Sequence, residues 1–355
     1  MTPKVSVVMS VYNGDQYLRE AVESILHQTL NDFEFIVIND GSTDSTGAIL
    51  ASYLDERMVI INQDKTGLTK ALNRGVSLAR GTYIARMDAD DVSLPERLDQ
   101  QVAFLDKHTD VALLGCNFYE IDDSGNVVSK KELTPENEEI KWRLLFHNCY
   151  GHSATVFRKE CFSVVGGYDD SIVYSQDYDL WLRMSQQYNV GNLDEFLHKW
   201  RRNKNKGISM VKSREQRKRA SAISDRAVQR LLPEGQLDMG LLEVLRDYVS
   251  GNTIPTDLRP VEELLFNILD SFWGSLSEDQ YDSKKKKLMQ SRYYMDLAFL
   301  YYDKDQPEDF RRCALKGMIR DATKLRMGIV FLMMTSWLGK RMSDTIQGIK
   351  KRTLG

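Results

Sequence analysis

The sequence predicts an α/β protein: a largely parallel sheet flanked by helices over residues 1–210, followed by a helical region over 211–355. Two observations carry this. Short apolar runs alternate with amphipathic helical patterns through the first hundred residues, the spacing of successive βαβ units. Past residue 210 the β-branched runs thin out, and long helical patterns are broken by Pro233, Pro255, Pro260 and Pro307. A chain of 355 residues also exceeds one average domain, which suits a main domain with an appendage.

Each element has its own signal. Val5–Ser10, largely apolar and followed by turn residues, is a buried strand. Tyr17, Leu18, Ala21, Val22, Ile25 and Leu26 then recur at helical spacing. Phe33–Asn39 is a second strand, and a helix over Thr43–Tyr53 follows, opened by the Ser42/Thr43 capping region. Met58–Asn62 is a third strand, Gly67–Ala79 a helix ended by Gly81, and Tyr83–Met87 a fourth strand. Leu98, Val102 and Leu105 place a helix after Pro95. Val111–Ile121 and Val127–Lys130 flank Ser124-Gly125-Asn126, a hairpin signal.

Composition narrows the function classes. An apolar content of 42% against 28% charged residues fits a globular protein with a sizeable core. A formal charge of −3 gives no global attraction to nucleic acid, and no nucleic-acid partner is expected. The four cysteines (Cys116, Cys149, Cys161, Cys313) have no CxxC spacing and read as reduced thiols of a cytoplasmic protein. The N-terminal segment reads as a strand rather than a signal peptide, and no apolar run of 18 residues is present to span a bilayer.

In an open parallel sheet, ligands bind beyond the carboxyl ends of the strands. Here the first strand ends in Ser10, Val11, Tyr12 and Asn13, the second in Asn39, Asp40 and Gly41, and the fourth in Asp88, Ala89, Asp90 and Asp91. Three polar clusters therefore meet at one edge. The turn Val11-Tyr12-Asn13-Gly14 lacks the glycine fingerprint of a dinucleotide site, and no Walker loop is present. A diphosphate bound here needs another source of positive charge. Asp88 and Asp90, one residue apart, suit Mn²⁺ or Mg²⁺ with open positions for phosphate oxygens; the competing reading is an acidic loop that caps the Pro95 helix.

The motifs VSVVMSVYNG, SILHQT, FEFIVINDGSTD, GLTKALNRGVSLARGTYIARMDADD, LPERL, GHSATVFRKECFSVVGGYDD and SQDYDLWLRM, in this order over about residues 4–210, resemble those of bacterial family 2 glycosyltransferases. The resemblance implies the GT-A fold, a Rossmann-like mixed sheet that binds nucleotide-diphospho-sugars, and inverting transfer of a hexose or N-acetylhexosamine. It implies that Ser10 and Tyr12 line the nucleotide pocket, and that Asp40 accepts from the ring N–H of a uracil-type base. Asp88 faces the ribose and the metal, and Asp90 is the direct metal ligand. A UDP-sugar donor and a saccharide acceptor on a polyprenyl diphosphate follow from the same resemblance, with work at the cytoplasmic face of the inner membrane in surface polysaccharide synthesis.

An inverting reaction needs one carboxylate to take the acceptor proton. Asp177 and Asp179 are two apart, so on a helix they diverge by about 200° and only one can reach the sugar. The resemblance assigns that base to Asp177, ahead of Tyr178, and leaves Asp179 for a cap or salt bridge. Trp181 is either a platform for an acceptor sugar or a core residue. His152 is either a structural histidine or a contact to the phosphates or acceptor. Gly166-Gly167 reads as a turn. The chain departs from the family at Ser10, Asn39 and Gln176, and at Asn203, where relatives often carry a histidine. Arg202, Lys204 or Lys206 are then candidates to neutralise the leaving diphosphate.

Two further stretches are rich in charge. Residues 199–220 hold ten Lys/Arg and one acid, and 316–355 hold nine against two. The latter encloses Gly328–Leu338, either a core helix or an interfacial helix with Trp337, Lys340, Arg341 and Lys350 at a membrane surface. Against the transferase stand a catalytically silent nucleotide-sugar-binding or assembly module, which needs no base, and a nucleotidyltransferase, which needs a basic glycine-rich loop after the first strand.

Overall fold

The computed structural model describes residues 2–202, 213–233, 235, 237–278 and 280–321. The chain divides into two compact units between Val228 and Gln229. The division lies beyond residue 210 because the helix Ser213–Gln229 belongs to the first unit: the Ser224 hydroxyl donates to the Leu145 carbonyl at 2.7 Å.

The first unit is built on nine strands: β1 (Val5–Val11), β2 (Phe33–Asp40), β3 (Met58–Gln63), β4 (Tyr83–Met87), β5 (Val92–Ser93), β6 (Val111–Ile121), β7 (Val127–Lys131), β8 (Val156–Arg158) and β9 (Asn189–Arg201). Their order is β3-β2-β1-β4-β8-β6-β9-β5, with β7 on the side of β6. The β3-β2-β1-β4 half is parallel throughout, as right-handed crossovers demand. The other half is mixed: β8 runs antiparallel to β4 and β6, while β9 returns parallel to β6.

Every residue of β1, β2 and β4 is buried, which is why these strands are apolar at most positions and do not alternate. Their register sets the site. Val11 pairs with Asn39, Asp40 with Gln63, and Met9 with Met87, which brings the carboxyl ends of all four parallel strands to one edge. Helices α1 (Leu18–Leu26), α2 (Thr46–Ala51) and α3 (Leu68–Leu78) cover this half. Leu18, Ala21, Val22 and Ile25 of α1 are fully buried, the face that the helical spacing predicts.

Close approach fixes the seam between α3 and the sheet. A Cβ on Gly75 would lie 2.5 Å from Val8 Cγ1, and one on Gly81 would lie 2.5 Å from the Ser6 amide nitrogen. Helix α2 is shorter than its pattern suggests. Ser42 and Thr43 are spent on the loop after β1, and Asp44 Oδ1 instead accepts from the Thr46 amide at 3.0 Å.

Helix α4 (Arg97–Lys107) follows Pro95, and α5 (Asn137–Leu144), α6 (Lys159–Val164) and α7 (Gln176–Gln187) complete the first unit before Ser213–Gln229. All four cysteines are free and buried. The second unit is helical over its described residues: Met239–Val249, Arg259–Ser275, Ser283–Asp303 and Pro307–Arg320. Among the described residues no helix is long and apolar enough to cross a membrane. Lys204, Lys206, Asn203 and the segment Gly328–Leu338 with Trp337, Lys340, Arg341 and Lys350 lie outside the described residues.

Candidate active site

The loops after β1 and β2 are sewn together by short polar side chains. Asn13 takes a left-handed backbone, φ 52°, which asparagine tolerates better than most residues. Its amide hydrogen donates to Ser42 Oγ at 3.0 Å, and its Oδ1 accepts from the Thr43 amide at 2.8 Å. The Gly14 amide adds a bond to Thr46 Oγ1 at 2.9 Å. This seam leaves the Tyr12 ring 43% exposed at the edge, with Ser10 mostly buried behind it. The Lys65 ammonium sits 3.5 Å above the centre of the Tyr12 ring, a cation–π contact.

Asp40, the residue expected to meet the base, is held by the loop after β3. Its Oδ1 accepts from Gln63 Nε2 at 2.7 Å, the Thr66 amide at 2.8 Å and the Thr66 hydroxyl at 3.0 Å; its Oδ2 accepts from the Gly67 amide at 2.8 Å. The residue is 2% exposed. Burial alone would lift its pKa, but these donors outweigh burial and lower it, so the carboxylate is ionised and committed to the β3–α3 loop. The reason is geometric: the loop turns sharply after β3 and its amides need an acceptor. Asp40 thereby positions Lys65, which the same strand-end logic could have found, since Lys65 follows β3 at the same edge.

Gly41 makes that loop possible. It holds φ 76°, and a Cβ there would come within 2.7 Å of the Lys65 backbone nitrogen. Gly41→Ala is therefore expected to cost about 1–3 kcal/mol of stability and to weaken nucleotide binding. Thermal melting with and without UDP checks both; an unchanged melt would show that the loop yields freely.

The acidic edge follows β4. Asp88 Oδ1 pairs with the buried Arg86 guanidinium at 2.6 Å, and Arg86 also donates to the Met87 carbonyl. Asp90 makes no ion pair among the described residues. Burial and the charges of Asp91 and Asp88 push its pKa well above the ordinary value. Asp91 is a latch: it accepts from the Ser153 hydroxyl, from the Arg201 amide at 2.8 Å, and lies 3.1 Å from His198 Nε2. Arg201 in turn donates from Nε to the Asp90 carbonyl at 2.8 Å and pairs with Glu20 at 2.5 Å, which fixes the acidic turn to β9. Burial, aided by Arg97, keeps the His198 ring neutral.

On the acceptor side, Asp177 lies in the first turn of α7, after Ser175 in a left-handed conformation of φ 61°. It is half-buried, and Asn148 Nδ2 donates to its Oδ2 at 2.8 Å. Burial raises its pKa; the Tyr178 amide and Asn148 pull it back, and the charge of Asp88 raises it further. The α7 carboxylate and the β4 acidic edge therefore lie within electrostatic reach of each other. A cavity of about 300 Å³ opens at Asp177, between Asn148, Ser175 and Tyr178. Gln216, Arg217 and Ala220, from the helix Ser213–Gln229, close its other side. No pattern in the sequence marks Asn148 or Arg217 for this place.

Asp179 points elsewhere, as helical spacing requires. It pairs with Arg183 at 2.8 Å, and Arg183 donates to the Val165 and Gly167 carbonyls at 2.6 and 2.7 Å. Gly166 and Gly167, φ 85° and 68°, form the turn that presents those carbonyls. His152 Nε2 lies 2.8 Å from the Tyr168 hydroxyl, and burial, with Arg86 nearby, holds the ring neutral. Trp181 is no acceptor platform: it is 0% exposed, packed edge-on against Tyr150 and His152, because α7 turns this position into the core. Arg202 is exposed at the end of β9, its amide bonded to the Ile121 carbonyl at 2.9 Å.

Comparison with known proteins agrees with this architecture. The profile of Glycosyl transferase family 2 matches residues 6–165. An uncharacterised glycosyltransferase of Methanocaldococcus jannaschii is 35% identical over 223 residues, 60% of this chain and 76% of that protein. The amylovoran biosynthesis glycosyltransferase AmsE of Erwinia amylovora is 35% identical over 222 residues, 59% of this chain and 83% of AmsE. The O-antigen biosynthesis glycosyltransferase WbnJ of Escherichia coli is 38% identical over 184 residues, 51% of this chain and 71% of WbnJ. The crystal structure of S. aureus TarS 1-349 has the same fold, with a TM-score of 0.53 at 15% identity over 90% of this chain and 92% of that one. TarS 1-349 has also been solved with UDP and with UDP-GlcNAc. With a GT-A sheet whose strand ends carry this polar edge, and with relatives matched over most of their length, the chain is a glycosyltransferase and belongs to glycosyl transferase family 2.

Proposed function

We propose that the protein is an inverting transferase that moves a hexose or N-acetylhexosamine from a UDP-sugar to a hydroxyl of a saccharide acceptor, with Asp177 as general base. One observation carries the reading: a half-buried carboxylate of raised pKa borders a cavity and feels the charge of Asp88 at the strand-end edge. Inversion needs a base on one side of the anomeric carbon and the leaving diphosphate on the other. The UDP-bound and UDP-GlcNAc-bound TarS structures support the donor class. The names of AmsE and WbnJ support a place in surface polysaccharide synthesis; the proposal adds a lipid-linked acceptor met at the cytoplasmic face of the membrane.

The roles follow from the chemistry of each group. The exposed Tyr12 ring offers a face to the base, and Lys65 beside it offers a positive charge to the nucleotide. Asp88 faces the ribose, with Arg86 holding its orientation. The carboxylates of Asp88 and Asp90 fit a hard divalent cation such as Mn²⁺ or Mg²⁺, since the charges of Asp91 and Asp88 on Asp90 outweigh that of Arg201 and its carboxylate has no ion pair among the described residues. Among those residues no group of three His, Cys, Asp or Glu could hold an ion by itself, so Asp88 and Asp90 would hold one only with the donor bound. Such an ion stabilises the charge that develops on the leaving diphosphate. Arg202, exposed near that edge, is available to the same charge. Asp177 takes the proton of the attacking hydroxyl, with Asn148 holding the carboxylate in place.

Purified protein incubated with UDP-, dTDP- and GDP-sugars and Mn²⁺ or Mg²⁺ is expected to release UDP from a UDP-hexose or UDP-N-acetylhexosamine. With acceptor, NMR is expected to show a β-linkage from an α-linked donor. Activity confined to GDP-sugars would overturn the donor assignment, and retention of configuration would overturn the one-base mechanism.

A further inference from the structure

The cavity at Asp177 contains one strongly ionic side chain that the proposed chemistry does not use. Arg217 lines it from the helix Ser213–Gln229, past residues 6–165 matched by the family profile. Three of the other polar side chains that line it are already engaged. The Asn148 side chain donates to Asp177 and accepts from the Tyr150 amide at 3.1 Å; the Tyr178 hydroxyl donates to the Leu144 carbonyl at 2.8 Å; the Ser175 hydroxyl donates to the Gln216 carbonyl at 3.3 Å. Arg217, in contrast, makes no ion pair or side-chain hydrogen bond among the described residues. Arg143 and Arg183 of the same unit, by comparison, are paired with Glu139 and Asp179 at 2.7 and 2.8 Å.

The surface beside Arg217 carries the same sign. Arg214 and Lys218 lie three residues before and one after it and are exposed, and Glu215 is the one acid in the first turn of the helix. Arg217 is itself exposed, and a guanidinium that lines a cavity without a carboxylate partner among the described residues is suited to a planar or tetrahedral anion, to which it can donate two parallel hydrogen bonds. The occupant of this cavity must also present a hydroxyl to Asp177.

We propose that Arg217 selects the acceptor: it binds a negatively charged group, a carboxylate or a phosphate, carried by the acceptor saccharide whose hydroxyl faces Asp177. The inference rests on the reading of Asp177 as the base. It names the acceptor class as an anionic saccharide, and the shared chemistry covers a uronic acid unit or a sugar phosphate.

The test is acceptor binding to the full-length protein saturated with UDP, measured by calorimetry with three probes: cellobiose, cellobiouronic acid and cellobiose 1-phosphate. At least one charged probe is expected to bind about 10-fold more tightly than cellobiose, the worth of one charge-assisted hydrogen-bonding pair. The probe that gains identifies the source of the charge. Arg217→Gln is expected to abolish that preference and Arg217→Lys to keep part of it, each with an unchanged thermal melt. Equal binding of all three probes, failure of both charged probes to bind, or an intact preference in Arg217→Gln would overturn the proposal. The base assignment stands or falls separately. Asp177→Asn should still bind the charged probe, because it leaves Arg217 in place, and should lose transfer; transfer retained in Asp177→Asn would sink the base reading and leave the Arg217 result standing.

Discussion

Asp177→Asn is expected to lower turnover by about 10²-fold or more while leaving the affinity for UDP unchanged. The substitution is nearly isosteric, and an asparagine side-chain oxygen can still accept from Asn148 Nδ2, so the local geometry has no reason to move. What is lost is the capacity to take a proton. Steady-state kinetics beside a UDP titration separate the two effects, and comparable turnover in the purified variant would remove Asp177 from the mechanism. The pH profile gives a second readout with a defined sign. Burial and the charge of Asp88 raise the Asp177 carboxyl above its ordinary value of 3.8, against the pull of Asn148 and the Tyr178 amide. A base works ionised, so kcat should fall as pH drops through that raised pKa. The acidic limb should therefore lie above the ordinary carboxyl range in the wild type and disappear in Asp177→Asn. Asp88 and the cavity-lining Arg217 are the other charges facing this group, and Arg217→Gln is expected to leave the limb on the same side of the ordinary value.

The parts of the fold written in local periodicity were legible in the sequence. The strands from Val5, Phe33, Met58 and Tyr83 and the helices between them lie where the alternation places them, because each buries an apolar face that repeats at 2 or 3.6 residues. The polar edge was legible for the same reason, since parallel strands of equal register end at one level. The return of β9 beside β6 was not, because that pairing joins residues far apart in sequence and leaves no local trace. The Asp91 latch shows the same limit. Its partners Ser153 and His198 are 62 and 107 residues away, and Arg201 is 110 away.

Trp181 illustrates a different limit. Residue type and position left open a sugar platform or a core residue, and side-chain direction decides: Trp181 turns into the core against Tyr150. Asp40 shows that a strand-end carboxylate also has local partners that the sequence does not display, the amides of Thr66 and Gly67 in the loop that carries Lys65 to Tyr12.

Asp90→Ala is expected to lower turnover by about 10²-fold and to weaken donor binding, with excess EDTA having a like effect on the unmodified enzyme. The argument begins with charge. Asp88, Asp90 and Asp91 sit within four consecutive positions, yet only two of them have described partners that offset their charge: Arg86 for Asp88, and the Ser153, His198 and Arg201 donors for Asp91. Asp90 keeps like charge around it with no cation paired to it among the described residues, an arrangement that costs stability unless something bound to it contributes to function. Removing the carboxylate should therefore leave the thermal melt of the ligand-free protein unchanged or higher, whereas removing a structural carboxylate would lower it. A fall in activity together with an undiminished melt is the expected signature. Full activity in excess EDTA would show that protein cations, Lys65 and Arg202 among them, neutralise the leaving diphosphate without a metal; a lowered melt in Asp90→Ala would instead assign Asp90 to the framework of the β4 turn.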